Sequence, residues 1–402
     1  MLRPFDLNLR HLRALGDVAT HRSLNRAAEV AGLSQPALTQ GLAKLERQLG
    51  MALFDRHPDG VTATEAGLAL ADRVERAFAV LAEATRKAAK GGVRGFARPE
   101  RLMTATQLDA FLHFADAQGF AGAAAASGVS QPAIHRAVRD LEQLCATPLA
   151  ERRGRGMVLT PAGRAIARGV RLAAGEIAAG IAEARGEAAE GGRIAIGAMP
   201  LSRALLLPRA LSLFLRDRPS AVIDVIEGSW RELVDPLLDG VIDIMVGALR
   251  EAPPPGVDQV PLFTDRLAIF GRRGHPLGEH AADLDILARQ PWVVGPAGTP
   301  LRHHWETLFA GRTLPPVPIE CGSVMVIRGL LAQSDLLTLL SPDQVAMEVS
   351  AGMLAQIGPE LPGAVRTIGI STRSGWRPTA PQQRLIDLLH QATRETRLQE
   401  IG

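Results

Sequence analysis

The chain has 402 residues, is 47% apolar, contains two cysteines and carries a formal net charge of +3. That length suits two to four domains of about 100 to 200 residues each. Cys145 and Cys321, far apart and outside any Cys/His cluster, argue against a disulfide framework or a structural zinc site, so no metal or cofactor is expected. Met1 to Arg10 is charged, and no run of 18 apolar residues occurs, so neither a signal peptide nor a membrane span is expected and the expected compartment is the cytoplasm.

Leu12, Leu15 and Val18-Ala19 recur three or four apart and predict a first helix. Ser23 then precedes Leu24, Ala27, Ala28 and Ala31 at the same spacing, and Gly32 ends this second helix. Ser34 reads as the N-cap of a third, with Pro36 in its first turn and Leu38, Leu42, Leu45 and Leu49 as its buried stripe. Gln35, Thr39, Gln40, Ala43 and Lys44 form its outer face, and side chains of these kinds reach base edges in a major groove. Two helices about a tight Gly-Leu-Ser turn, the second led by small polar residues, follow the helix-turn-helix plan. Leu53 to Arg56 and Val61-Thr62, around Pro58-Asp59-Gly60, predict a two-stranded wing. Leu70, Val74, Ala77-Phe78 and Leu81 predict a long helix to about Lys90, before a flexible joint at Gly91-Gly92, Gly95 and Pro99.

The same unit then occurs again. Residues 9–67 laid on 105–163, a shift of 96, agree at 18 of 59 positions, among them Ser34 to Ala37 with Ser130 to Ala133 and Leu45-Glu46 with Leu141-Glu142. Two copies make a duplicated domain rather than a solenoid. In the second copy Cys145-Ala146 replaces Leu49-Gly50, His135 replaces Thr39, and Ala150 replaces Phe54, which should loosen the packing beneath the wing. Its face is more basic, with His135, Arg136 and Arg139 on the third helix and Arg152, Arg153 and Arg155 at a wing suited to phosphates. Positive charge gathers in the repeats: basic residues exceed acidic ones 15 to 11 over 1–100 and 10 to 9 over 101–190, but trail 20 to 22 beyond. Ile166, Val170, Ala173, Ile177, Ile181 and Ala184 then form a stripe close to coiled-coil spacing that seeks a partner helix, and Gly186 to Gly192 makes a second joint.

From Arg193 strands alternate with helices: Ile194 to Gly197, a helix around Leu205 to Leu215, Val222 to Ile226, Leu233 to Leu238, Ile242 to Gly247, Leu267 to Phe270 and Trp292 to Val294. This order predicts a parallel or mixed sheet with helices on both faces, which binds ligands at the carboxyl ends of its strands. Candidate ligand contacts lie on turns after strands: Ser202, Thr299, Ser323 and Val324, with Arg302 as a partner for a carboxylate; an ordinary N-cap is the competing reading of the hydroxyls.

Ala27-Ala28, Ser34 to Ala37, Leu45-Glu46, Leu49-Gly50, Leu53-Phe54-Asp55-Arg56 and Thr64-Glu65-Ala66-Gly67 together resemble the winged helix-turn-helix of LysR-type transcriptional regulators. The second half is similar to that family's two-lobed effector domain, related to periplasmic binding proteins, at His275-Pro276-Leu277 and at Leu237, Gly240 and Asp243. The resemblance implies a multi-domain chain: two tandem all-α winged helix-turn-helix domains (1–64 and 104–161) with long linker helices (65–103 and 162–190), then an α/β two-lobed domain (191–402). It implies double-stranded operator DNA as partner, contacted through Ser34, Gln35, Pro36, Thr39, Gln40, Lys44 and Arg56 and through Ser130, Gln131, Pro132, His135, Arg136, Arg139, Arg152, Arg153 and Arg155. It also implies a small-molecule effector and a homodimer or homotetramer paired through 162–187, with 65–90 either pairing similarly or packing within the chain. The runs Gly298 to Arg302 and Ser334 to Pro342 look most like the branch containing the galactose-binding-protein regulator and protocatechuate-pathway regulators, implying a sugar or an aromatic acid. Family members usually carry one such domain. Two other readings stand beside this one: one repeat serves dimerisation or protein contact, or the chain is a cytoplasmic solute-binding α/β protein with helical adaptors. No phosphate loop, activated nucleophile or carboxylate pair marks an enzyme.

Overall fold

The computed structural model describes residues 2–58, 60–89, 96–117, 119–154, 156–186, 193–278, 283–358, 360–361 and 363–399. Two compact units divide it, 1–192 with 379–381 and 193–378 with 382–402. The joints expected at Gly91-Gly92, at Gly95 and over 187–192 lie outside the described residues, as does Arg155.

In the first unit α1 (Leu9–His21), α2 (Leu24–Ala31) and α3 (Gln35–Leu49) precede a hairpin of β1 (Phe54–His57) and β2 (Gly60–Ala63), and α4 (Glu65–Ala88) follows. The second copy repeats this as α5 (Ala105–Ala117), α6 (Phe120–Ser127), α7 (Gln131–Cys145), β3 (Ala150–Arg153), β4 (Gly156–Leu159) and α8 (Pro161–Ala184). Local chemistry sets the helix starts. Asn8, Ser23, Ser34 and Thr64 each accept a backbone N–H of the helix that follows, contacts worth about 1 kcal/mol apiece.

Corresponding contacts recur at the shift of 96. Glu46 Oε1 accepts the N–H of Leu53 at 2.9 Å, and Glu142 Oε1 that of Leu149 at 2.8 Å, tying the end of each third helix to its wing. Thr64 and Thr160 each donate to a carbonyl, of Ala52 and Pro148. Gly67 and Gly163 pass so close to the chain entering the wing that a Cβ would stand 2.1 Å from the Leu53 oxygen and 1.9 Å from the Leu149 oxygen. No larger residue fits there without moving backbone.

α4 and α8 pack antiparallel within the chain. A Cβ at Gly180 would meet the Arg73 Cβ at 2.9 Å, and one at Gly169 the Ala84 Cβ at 2.3 Å, so the N-terminal part of each helix lies beside the C-terminal part of the other. Leu70, Val74, Ala77 and Leu81 share one core with Ile166, Val170, Ala173, Ile177 and Ile181. The stripe of α8 that the resemblance assigned to a second subunit is thus covered by α4 of the same chain. Arg73, with 1% of its side chain exposed, sits in this seam, donating to Glu176 at 2.9 Å and from Nε to Glu183 at 3.1 Å. Burial opposes its charge, but the bonds to Glu183 and Glu176 outweigh that and raise its pKa above the usual arginine value.

The second unit opens with β5 (Arg193–Ala198), α9 (Leu206–Asp217), β6 (Val222–Glu227), α10 (Trp230–Leu238), β7 (Ile244–Ala248), β8 (Val257–Arg266) and β9 (Ala268–Arg272). It continues with α11 (Leu284–Leu287), β10 (Val293–Val294), α12 (Pro300–Leu308), β11 (Ile319–Glu320), α13 (Val324–Gln333), β12 (Thr338–Leu340), α14 (Ala346–Ser350), β13 (Leu354–Gln356), β14 (Val365–Arg373) and α15 (Ala380–Gln399). One lobe is a mixed sheet ordered β6-β5-β7-β14-β8, with β14 antiparallel to both its neighbours. The other is built on β12-β9-β13 and the parallel pair β10-β11. Alternation along β5 and β7 splits the first lobe's core. Ile194, Ile196, Ile244 and Val246 pack with Phe214 and Leu388, while Met245 on the other face joins Leu233, Leu237 and Ile242.

Two sequence signatures here prove to be architectural. Asp243 accepts the N–H of Ala195 at 2.8 Å, joining a turn to β5, and its burial holds its pKa above the usual carboxylate value. His275 Nδ1 accepts the N–H of Leu277 while Nε2 meets the Asp335 carbonyl, fixing the tautomer and the turn.

Candidate nucleic-acid interface and effector cleft

α3 buries Leu38, Gly41, Leu42, Leu45 and Leu49, which turns its polar face outward. Ser34, Gln35, Pro36, Gln40 and Lys44 are exposed and Thr39 is half-buried. Thr39 Oγ1 donates to the Gln35 carbonyl at 2.9 Å and accepts from Gln35 Nε2 at 3.3 Å, so the two side chains are ordered together at the start of the helix. Arg56 is exposed on β1. The wing is anchored to the end of α1 by Val61 N–H, which donates to the Arg22 carbonyl at 3.1 Å.

α7 buries Ile134, Ala137, Val138, Leu141 and Cys145, and its leading residues Ser130, Gln131, Pro132, His135, Arg136 and Arg139 are all exposed. His135 lies 5.0 Å from the ring of Phe120, which itself stacks on Phe114. Arg152 and Arg153 are exposed on β3. No ion pair engages Arg136, Arg139, Arg152 or Arg153 among the described residues, so this face is net positive and open to phosphate. Beneath the wing the replacement of Phe54 has its expected effect: Phe54 and Val61 are buried, whereas Ala150 and Met157 are half-exposed.

The second unit holds a cavity of about 630 Å³, lined by Met199, Leu201, Trp230, Arg231 and Arg250 on one lobe and by Gly298, Thr299, Val324 and Gln344 on the other. Its volume suits a small ligand. Arg250 stacks over Trp230, its guanidinium carbon 5.5 Å from the ring centre. Burial and the nearby Arg231 both lower the Arg250 pKa. Neither guanidinium has a carboxylate partner among the described residues, whereas Arg203 in the same wall pairs with Glu227. Arg366 bonds Asp265 at 2.8 Å, yet its Nη2 is buried without a partner.

Of the ligand contacts expected from sequence, Thr299 and Val324 line this cavity. Ser202 is fully buried and donates to the Met199 carbonyl. Ser323 caps α13 at Val326 N–H, and Thr299 also caps α12. Arg302 is held by Glu306 and Glu320 at 2.8 and 2.7 Å and stacks over Trp305, so its charge is already compensated. Arg231, Arg250 and Trp230 carried no sequence signal beyond their types. Among the described residues no helix is long and apolar enough to cross a membrane.

The bacterial regulatory helix-turn-helix model of the lysR family matches twice, at 9–68 and 105–164, and the LysR substrate binding domain model matches 187–394. The transcriptional regulator GalR of Pseudomonas putida is 34% identical over 375 residues, 92% of this chain and 93% of that one. The regulator PcaQ of Agrobacterium fabrum is 28% identical over 302 residues, 72% of this chain and 93% of its own. Among solved structures, a full-length OxyR variant from Pseudomonas aeruginosa aligns with TM-score 0.58 and 23% identity, covering 73% of this chain and 95% of that one. CbnR in complex with its target DNA aligns with TM-score 0.51 and 22% identity over 71% of this chain and 98% of that one. These two structures share the fold and leave about a quarter of this chain unmatched, close to the length of one repeat. With both domain models matched in order and the relatives named as regulators, the chain belongs to the LysR family of DNA-binding transcriptional regulators, with a small-molecule effector domain and a duplicated helix-turn-helix.

Proposed function

We propose that both helix-turn-helix copies contact operator DNA, and that the effector is an organic acid with an aromatic body, bound between the lobes. The observation that carries the second part is the pair Arg231 and Arg250, two nearby guanidinium groups lining the cleft, neither with a carboxylate partner among the described residues, while Glu227 pairs with Arg203 and Glu232 caps α10 at Ser229. Like charges at close range repel, and an anion between them removes that cost. Trp230, Met199 and Leu201 offer an apolar wall to the ligand's body. A sugar would leave both cations uncompensated, which favours the acid. For DNA, the support is that α3 and α7 each present exposed Gln-Pro leads and polar outer faces in the same frame.

A footprint on the intergenic region upstream of the gene tests the DNA reading. Gln35→Ala with Thr39→Ala removes one protected segment, and His135→Ala with Arg136→Ala removes another; loss of nothing, or loss from one pair only, defeats the two-reader proposal. Titration of tryptophan fluorescence with hydroxybenzoates and with hexoses tests the effector class. Quenching by the acids is expected, weakened about tenfold or more in Arg250→Ala; a response to hexoses alone would reverse the assignment.

A further inference from the structure

We infer that one chain carries a complete pair of DNA readers, in which α4 and α8 bind each other in the same molecule and hold α3 and α7 as an unlike pair on one operator. This rests on the reading that both helices contact DNA. The partner is B-form DNA with two different half-sites about one helical turn apart, addressed by a single polypeptide.

The geometry within the first unit is that of a pseudo-twofold pair. Gly180 against Arg73 and Gly169 against Ala84 are the same contact seen from the two ends, because Arg73 corresponds to Gly169 and Ala84 to Gly180 at the shift of 96. Each copy enters the N-terminus of its own long helix, so the antiparallel arrangement places the copies toward opposite ends. Each helix has 24 residues, a length of about 36 Å that matches the roughly 34–36 Å between half-sites one turn apart. The end of α8 is fastened to the first copy, where Arg185 donates to the carbonyls of Gln48 and Leu49, each at 3.1 Å.

What makes the pairing unlike is its charge. Shifted by 96, Glu176 corresponds to Val80 and Glu183 to Lys87. An α4–α4 pair of this geometry would set buried Arg73 against Val80 and Lys87. An α8–α8 pair would leave Glu176 and Glu183 facing Gly169. Either arrangement buries charge without its partner, which is strongly unfavourable. Only α4 with α8 satisfies Arg73. The reading faces are unlike as well: Thr39, Gln40 and Lys44 correspond to His135, Arg136 and Asp140, so the two half-sites differ, with guanine favoured opposite Arg136.

Exchanging the seam's charges on the full-length protein distinguishes pairing within a chain from pairing between chains. Arg73→Glu alone, or Glu176→Arg with Glu183→Arg, lowers operator affinity by about tenfold or more, because a rigid pair benefits from the effective concentration of its second reader. All three substitutions in one chain restore joint protection of both half-sites. Coexpressing the two defective chains with different tags does not restore it, whereas recovery on mixing would overturn the inference, since each α4 would then have found its α8 in another molecule. A milder pair guards against misfolding. Gly169→Ala crowds Ala84, Ala84→Gly relieves it, and relief of the lowered thermal midpoint is expected only when both lie in one chain. Unaltered affinity and midpoint in every single-sided variant would also refute the inference. If the wild type gives no footprint, the DNA reading fails instead, and the thermal midpoints still report on the pairing.

Discussion

The first and second helix-turn-helix copies share a backbone plan but differ in how tightly each part is held. In the first, Gly50 ends α3 at φ 77°, the left-handed region glycine occupies at little cost; in the second, Ala146 adopts φ 51° at the same place. The first wing is sealed by Phe54 and Val61, while the second rests on Ala150 and Met157. What the copies keep is as informative: Glu46 and Glu142 both bind the start of the wing, and Gly67 and Gly163 both press on it. The joint between recognition helix and wing is therefore retained where apolar packing has drifted, which fits a demand on the relative placement of two DNA-contacting parts rather than on stability alone.

Substitutions at three places sharpen or break that comparison. The largest effect is expected at the shared carboxylates. Glu46→Ala and Glu142→Ala each strand two backbone N–H groups, at a cost of about 2–3 kcal/mol, read as a lowered denaturant midpoint. Equal losses would show that the joint is equivalent in both copies; a loss in one alone would break the comparison. Smaller effects follow at the C-caps. Gly50→Ala destabilises by about 1 kcal/mol and Ala146→Gly stabilises by up to about 1 kcal/mol, as the left-handed conformation demands, and opposite signs in calorimetry are the check. The smallest concerns His11, packed against Gly41, where a Cβ would lie 2.5 Å from its ring. Burial, then Lys44 and Arg10, lower its pKa below the usual 6.5. The folded state thus binds this proton less readily than the unfolded chain, so the first copy loses stability as pH falls below about 6.5. His11→Gln, which installs the residue of the second copy at Gln107, should flatten that acid dependence in thermal melts.

Much of this was legible in the sequence because it is local. Ser23, Ser34 and Gly32 mark helix ends through bonds to their own neighbours, and the stripe of α3 names its buried face by spacing alone. Ser130 shows the limit, since it holds the same position as Ser34 without a capping bond from its side chain. The partner of α8 could not be read, because an apolar stripe specifies that something covers it and not what. Arg73 likewise gave no signal until Glu176 and Glu183 were brought to it. In the effector domain hydroxyls on turns were legible as caps, whereas Arg231 and Arg250 acquire meaning only when α10 and the end of β7 place them in one cleft. Arg302 shows the reverse case: a lone arginine near a turn suggested a ligand contact, and its guanidinium pairs with Glu306 one turn along the same helix and with Glu320 on β11.

The seam between α4 and α8 also sets a schedule for the nascent chain. Arg73 precedes Glu176 by 103 residues and Glu183 by 110, so at roughly 5–20 residues per second the ribosome takes about 5–20 s to supply the second strand of the seam. Through that interval the stripe of α4 is uncovered and neighbouring chains on one messenger present identical stripes. The lysine at position 87, facing Arg73 in any such encounter, makes the premature partner a poor one and keeps α4 waiting for its own chain to finish.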